Sequence, residues 1–305
     1  MKVLKEKIKQ LKISRNAVIL AHYYTLPEVQ DVADFVGDSL ALSKAASTTQ
    51  ADIILFAGVH FMAETAKIIN PQKKVILPDL NAGCSLSDSC KAEDLEQFLK
   101  NYPGYTVLSY INCSAKVKTL SDIIVTSGNA LKIVNALPQD EKIVFTPDRN
   151  LGAYINKETG REMILWNGAC HVHDQLTAEN VLALKQQHPH AKVLAHPECK
   201  AVVLALADFV GSTSAMLNYT LSDNTDAYIV ATETGILYEM EKQNPHKQFF
   251  FVNREENCQC NDCEYMKMNS LDKIIKALET LSPEIILDSE TILKAKKPID
   301  RMLEM

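Results

Sequence analysis

Eight cysteines, at positions 84, 90, 113, 170, 199, 258, 260 and 263, are the first residues in this sequence with a chemistry to explain. Whether such thiols read as disulfides, metal ligands or nucleophiles depends on their compartment. The opening segment, Met1-Lys2-Val3-Leu4-Lys5-Glu6-Lys7-Ile8-Lys9-Gln10-Leu11, interleaves apolar residues with charges at helical spacing. It has neither the unbroken apolar stretch nor the small-residue cleavage site of a secretory signal. No apolar run approaches the ~20 residues needed to span a bilayer. The expectation is a cytoplasmic protein with reduced thiols, so metals or catalysis come before disulfides. Thiolates suit iron–sulfur clusters or zinc. Cys84 closes Leu80-Asn81-Ala82-Gly83-Cys84, and Cys170 closes Trp166-Asn167-Gly168-Ala169-Cys170. In both, a glycine within two residues lets the backbone turn. Cys258-Gln259-Cys260-Asn261-Asp262-Cys263 offers three more thiols. Alone, that triplet reads as a zinc knuckle without an obvious fourth ligand. Cys90, Cys113 and Cys199 are read as buried or incidental.

A second group of chemistry-bearing residues follows short apolar runs. His22 and Tyr24, Tyr110 and Asn112, and His196 and Glu198 each come directly after such a run. Any one of them, alone, reads as a turn or capping residue. A third group, Ser39, Ser127 and Ser212-Thr213, sits where a short apolar segment gives way to a helical pattern. Hydroxyls there commonly cap a helix, and the same geometry presents free backbone N–H groups to an anion.

The elements that must position these residues repeat three times. Val18-Ile19-Leu20-Ala21-His22-Tyr23-Tyr24 aligns with Thr106-Val107-Leu108-Ser109-Tyr110-Ile111-Asn112 and with Lys192-Val193-Leu194-Ala195-His196-Pro197-Glu198, at offsets of 88 and 86. The same offsets carry Asp34 to Asp122 to Asp208, and Ser39 to Ser127 to Thr213. Two anchors that hold register across three copies signal an internal repeat. Each copy opens with a helix (near 3–12, 92–101 and 178–188) and a first strand. A short second strand and a helix come next, then a third strand (53–56, 143–145, 228–230) and a fourth (75–77, 163–165, 249–252). Such alternation predicts an α/β fold of three homologous αβα units with parallel sheets. The units are expected at 1–88, 89–174 and 175–269, with the closing helical segment 270–305 packed back on the first. Ligands of open α/β sheets bind beyond the carboxyl ends of the strands, where the strand-end residues and Cys84 and Cys170 fall. One thiol from each of three units suits a four-iron cluster with one iron open, as a catalytic metal requires.

Composition excludes several partners. The 305 residues are 47% apolar and 23% charged, with a net charge of −6. These are the proportions of an ordinary globular protein. The negative charge argues against a nucleic-acid partner, and no Lys/Arg block suits an anionic membrane. Two rival readings are a zinc protein built on Cys258, Cys260 and Cys263, and a non-catalytic phosphate or nucleotide binder using the helix N-termini. No Gly-x-Gly-x-x-Gly follows a strand, so a dinucleotide site has little support.

The sequence resembles the quinolinate synthases nearly end to end. The matching phrases include Ala21-His22-Tyr23-Tyr24, Leu77-Pro78-Asp79-Leu80-Asn81-Ala82-Gly83-Cys84-Ser85, Tyr110-Ile111-Asn112, Gly168-Ala169-Cys170-His171-Val172-His173, His196-Pro197-Glu198-Cys199, Gly211-Ser212-Thr213-Ser214 and Cys263-Glu264-Tyr265-Met266-Lys267-Met268-Asn269. The resemblance implies a pseudo-threefold axis through the active site and one [4Fe-4S] cluster per chain. It implies an iron–sulfur-dependent transferase of de novo NAD biosynthesis that condenses iminoaspartate with dihydroxyacetone phosphate, releasing phosphate and two waters to form quinolinate. Carried over, the ligands are Cys84, Cys170 and Cys263. Spacing from the strand alone favours Cys258, whereas the context after Cys263 matches the family; Cys258 and Cys260 are left inert or as a redox-sensitive disulfide. Glu198 is expected as general base and Tyr24 as proton-transfer group. His22, Ser39, Ser127, Ser212 and Thr213 are expected to bind phosphate or carboxylate, with Tyr110, Asn112, His173 and His196 orienting the substrate. The segments 58–64 and 232–235 are expected to shape the cavity rather than to do chemistry. The unstable imine implies an upstream aspartate-oxidising enzyme, and transient contact with it is the one partner expectation.

Overall fold

Aliphatic runs too short for helices, bounded by turn residues, become strands, and the central two of each sheet are buried on both faces, as parallel sheets require. The computed structural model of the chain describes residues 1–253 and 261–305. Cys258 and Cys260 lie outside the described residues. The first sheet holds β1 (Ala17–His22), β2 (Phe35–Gly37), β3 (Ile53–Ala57) and β4 (Lys74–Ile76). The second holds β5 (Thr106–Tyr110), β6 (Ile123–Val125), β7 (Ile143–Thr146) and β8 (Ile164–Leu165). The third holds β9 (Lys192–Ala195), β10 (Phe209–Val210), β11 (Ala227–Ala231) and β12 (Gln248–Phe251). All three sheets are parallel and share one order: second strand, first, third, fourth. The expected fold of three αβα units is present.

The repeated aspartates have one physical task. Asp34, Asp122 and Asp208 each accept the backbone N–H of the first strand at 2.8 Å, from Ile19, Val107 and Val193. Each also donates its own N–H to the same residue's carbonyl. This double contact fixes where the second strand joins the first, and the register is identical: Leu20 faces Phe35, Leu108 faces Ile123 and Leu194 faces Phe209. Strand order reverses between the first and third strands of every sheet. A crevice therefore opens beyond their carboxyl ends in each unit.

The helices depart from expectation at two starts. Asp38, not Ser39, caps the helix Ser39–Thr48, accepting the Ala41 N–H at 3.0 Å. In the second unit the helix is Ala130–Ala136, beginning after Ser127, because Asn129 folds back onto the Thr126 N–H and hydroxyl. Only Ser212 behaves as the expected hydroxyl cap, on Thr213–Ser222. The closing segment is two helices. Leu271–Thr280 packs with Lys2–Arg15 over the first sheet through Ile8, Ile19, Leu55, Ile274 and Leu278. Ser289–Glu304 bridges two units: it packs on the helix His60–Ile69 of the first and on β6 and the helix Ala115–Thr119 of the second, and Arg301 reaches the Asp122 carbonyl. The closing segment thus packs on the first unit along both of its helices and reaches the second unit with its last one. No helix among the described residues is long and apolar enough to cross a membrane.

Candidate active site and metal centre

The turns after the three first strands meet at one cavity, lined by His22, Tyr24, Tyr110, Asn112, His196 and Glu198. The turn is built alike in units one and three. His22 Nδ1 accepts the Tyr24 N–H at 3.2 Å, and His196 Nδ1 accepts the Glu198 N–H at 3.3 Å. A neutral imidazole that accepts at Nδ1 carries its proton on Nε2. Both rings are kept neutral: burial drives His22 down to about 4 and His196 down to about 3, against nearby carboxylates that pull the other way. They are hydrogen-bond donors without charge.

Glu198 is 3% exposed. Burial alone would raise its carboxyl. The His173 and His196 imidazoles beside it, with hydrogen bonds from His173 and Tyr110, outweigh burial and hold it below the usual carboxylate range. His173 Nδ1 lies 2.8 Å from Glu198 Oε2 and 3.3 Å from Cys170 Sγ. Its Nε2 lies 2.9 Å from Thr232 Oγ1, which lies 2.9 Å from Tyr24 Oη; Tyr24 Oη in turn lies 2.8 Å from Thr213 Oγ1. With Nδ1–H donating to Glu198, every other member can donate to the next: Thr213 to Tyr24, Tyr24 to Thr232, Thr232 to His173. A continuous proton path therefore joins Tyr24 of unit one to Glu198 of unit three. Burial holds the Tyr24 and Tyr110 phenols well above their usual range, so both remain protonated.

The helix starts converge as the repeat implies. A Cβ on Gly128 of unit two would lie 3.4 Å from Ser212 Oγ of unit three and 3.7 Å from Leu40 Cδ2 of unit one. Ser39, Ser127 and Thr213 line the cavity, whereas Ser212 lies behind it as a cap. No Lys or Arg is among the described lining residues. Asp38 is the member that sequence reasoning missed. Its Oδ2 faces the Ser212 hydroxyl at 3.2 Å and the Ser214 N–H at 3.4 Å. An incoming anion therefore meets helix N-termini and neutral imidazoles, in a lining that also carries the carboxylates Asp38, Glu198 and Glu233.

Cys84, Cys170 and Cys263 also line this cavity, one from each unit. Each stands at the N-cap of a four-residue helix: Ser85–Asp88, His171–Asp174 and Glu264–Lys267. Backbone N–H groups of those turns point at the sulfurs: Leu86 and Ser87, His173, and Tyr265 and Met266. This shared turn marks Cys263 as the counterpart of Cys84 and Cys170, which strand-to-cysteine spacing alone could not show. Burial pushes the Cys84 thiol up to about 12 and the Cys263 thiol up to about 11, and Cys170 rises as well. Such thiols ionise only for a cation, and a bound metal supplies one. Three half-buried cysteines with N–H donors aimed at their sulfurs fit a cluster with three protein ligands. Ligand atoms of Cys170, His173 and Glu198 lie within 4.8 Å of one another, a group able to hold a metal ion. All six described cysteines are free thiols, and Cys90, Cys113 and Cys199 are buried.

Two further residues escaped the sequence reading because their partners lie far along the chain. Thr232, in a segment expected only to shape the cavity, is the middle of the proton path. Glu233, 1% exposed, pairs with Lys267 at 2.8 Å, and Lys267 also donates to the Tyr24 carbonyl.

The family model described as quinolinate synthetase A protein matches residues 6–304. A quinolinate synthase of Rippkaea orientalis is 55% identical over 298 residues, covering 98% of this chain and 92% of that protein. Quinolinate synthases of Microcystis aeruginosa and Synechocystis sp. are each 54% identical, again over 98% of this chain and over 93% and 94% of theirs. The chain belongs to the quinolinate synthetase A protein family.

Proposed function

We propose that the chain is a quinolinate synthase, condensing iminoaspartate with dihydroxyacetone phosphate to quinolinate with release of phosphate and two waters, in the de novo route to NAD. The observation that carries the reading is the single cavity to which each unit brings one half-buried cysteine and one strand-end pair of polar residues. Cys84, Cys170 and Cys263 would hold a [4Fe-4S] cluster. When bound, such a cluster with one iron lacking a protein ligand supplies a Lewis acid toward a substrate oxygen.

The protein's own groups do the rest. The substrates' phosphate and carboxylate groups sit against the N-termini that begin near Ser39, Ser127 and Thr213, and take hydrogen bonds from Nε2 of His22 and His196. Neutral donors suit a cavity that must release inorganic phosphate, because fixed cations would retain it. Condensation and two dehydrations need protons removed from carbon and delivered to leaving oxygens. A carboxylate held as low as Glu198 is a weak base alone. Paired with His173, it forms a dyad in which the imidazole takes the proton and the carboxylate stabilises the resulting imidazolium. Tyr24, kept as a phenol, delivers a proton from the far end of the same path. Tyr110 and Asn112 orient the substrate from unit two. The buried Asn112 Oδ1 has no partner among the described residues and is available to a substrate donor. Iminoaspartate hydrolyses readily, so an aspartate-oxidising enzyme must supply it.

The test is product formation without oxygen. The reconstituted chain, given both substrates, should form quinolinate and one equivalent of phosphate. Glu198→Gln should retain its iron while turnover falls by about 10²–10⁴-fold, the worth of a positioned proton-transfer group. Absence of quinolinate from the iron-loaded wild type would reject the activity, and undiminished turnover in the variant would reject the dyad.

A further inference from the structure

The strand register identifies equivalent positions just beyond the third strand of each sheet. Ile54, Ile143 and Tyr228 face equivalent first-strand residues, Val18, Thr106 and Lys192. Five residues further along lie Val59, Asp148 and Glu233. In two of the three units this position is a buried carboxylate, 0% exposed at Asp148 and 1% at Glu233.

Both carboxylates grip the cysteine of their own unit by its backbone. Asp148 Oδ2 accepts the Cys170 N–H at 2.9 Å, while its Oδ1 accepts the Asn150 and Leu151 N–H groups at 2.8 and 2.9 Å. Glu233 Oε1 accepts the Cys263 N–H at 3.0 Å, while its Oε2 accepts the Gly235 N–H at 2.6 Å. Each therefore ties the loop carrying the cysteine to the end of the neighbouring strand, with both oxygens in use. Lys267 extends the second grip: its Nζ contacts Glu233 Oε1 and the Tyr24 carbonyl, both at 2.8 Å. The Val59 side chain, in unit one, has no group with which to accept an amide hydrogen.

We propose that Asp148 and Glu233 are positioning residues for the cluster, fixing the Cys170 and Cys263 backbones so that their sulfurs are set before iron arrives, and that Lys267 couples the Cys263 turn to the Tyr24 turn. The inference rests on the cluster reading above. Groups that orient metal ligands without touching the metal commonly contribute 10–100-fold to metal retention. Two of the three ligands are thus preset by carboxylates, and Cys84 depends on its own turn.

The test uses full-length Asp148→Asn and Glu233→Gln, reconstituted anaerobically with iron and sulfide. Asparagine still caps the helix Arg149–Thr159, but turns an amide N–H₂ toward the Cys170 N–H. Glutamine keeps one accepting oxygen where two are needed. Each variant should release iron to a chelator about tenfold faster than wild type or more, while the thermal midpoint of the iron-free chain stays within a few degrees. Iron release at the wild-type rate from the folded variants would overturn the proposal. So would an iron-free chain destabilised in step with iron loss, since the carboxylates would then serve the fold alone. A wild type that takes up no iron would reject the cluster reading itself.

Discussion

His22 and His196 show how much of the site is set residue by residue. Both imidazoles are buried with Nδ1 spent on their own turn, so they enter the folded state neutral. The His196 pKa lies near 3 folded, against 6.5 for a free side chain. Between these values the unfolded chain binds a proton that the native chain refuses, so stability falls as pH drops below about 6.5. Denaturant midpoints measured at pH 7.5 and pH 5 should therefore differ less in His196→Asn than in wild type; an unchanged difference would show that His196 titrates freely in the native state. The sequence made these residues legible because they recur at equivalent strand ends. Thr232 and Asp38 were not legible. Their contacts, to Tyr24 and His173 and to Ser212 and Ser214, join units distant in sequence, and no local pattern records such a contact.

At the scale of elements, the aspartate that begins each second strand is the joint of the repeat. Val193 is buried, and the Asp208 carboxylate is the side-chain acceptor of its N–H. Asp208→Ala should destabilise the chain by about 1–2 kcal/mol, the cost of leaving one partly buried amide without its acceptor. Chemical denaturation would measure it, and no change in midpoint would mean that water replaces the carboxylate. The repeat was legible because this joint demands one residue type at one offset. The helix starts were less so: Asp38 outcompetes Ser39 as a cap, and Asn129 closes its loop before a helix can begin at Ser127. Neither competition leaves a distinct periodicity. The choice of Cys263 over Cys258 rests on the resemblance of the residues that follow it, because the four-residue helix Glu264–Lys267 is too short to announce itself by apolar spacing.

Across the whole molecule the units touch where their turns meet, and one glycine shows how closely. A Cβ on Gly235 of unit three would lie 2.6–2.8 Å from backbone atoms of Tyr23 and Tyr24 in unit one. Gln30 bridges the same junction, donating to the Tyr23, Thr25 and Gly235 carbonyls. Gly235→Ala must push the two units apart, at about 1–3 kcal/mol, the usual cost of overpacking. Its thermal midpoint should fall, and an unshifted midpoint would show that the junction can yield. The threefold plan could be read from the repeat, whereas the path of the closing segment could not. An amphipathic helix such as Ser289–Glu304 declares that it needs an apolar partner, not which sheet supplies it.

Iron and acid-labile sulfide per chain, in protein purified without oxygen, test the central claim most directly when wild type is measured beside single serine replacements at 84, 170, 258, 260 and 263. One cysteine from each unit predicts about four irons and four sulfides in a brown wild type. It predicts their loss in Cys84→Ser, Cys170→Ser and Cys263→Ser, and their retention in Cys258→Ser and Cys260→Ser. A colourless wild type that holds zinc, or a cluster that survives Cys263→Ser but not Cys258→Ser, would contradict the account.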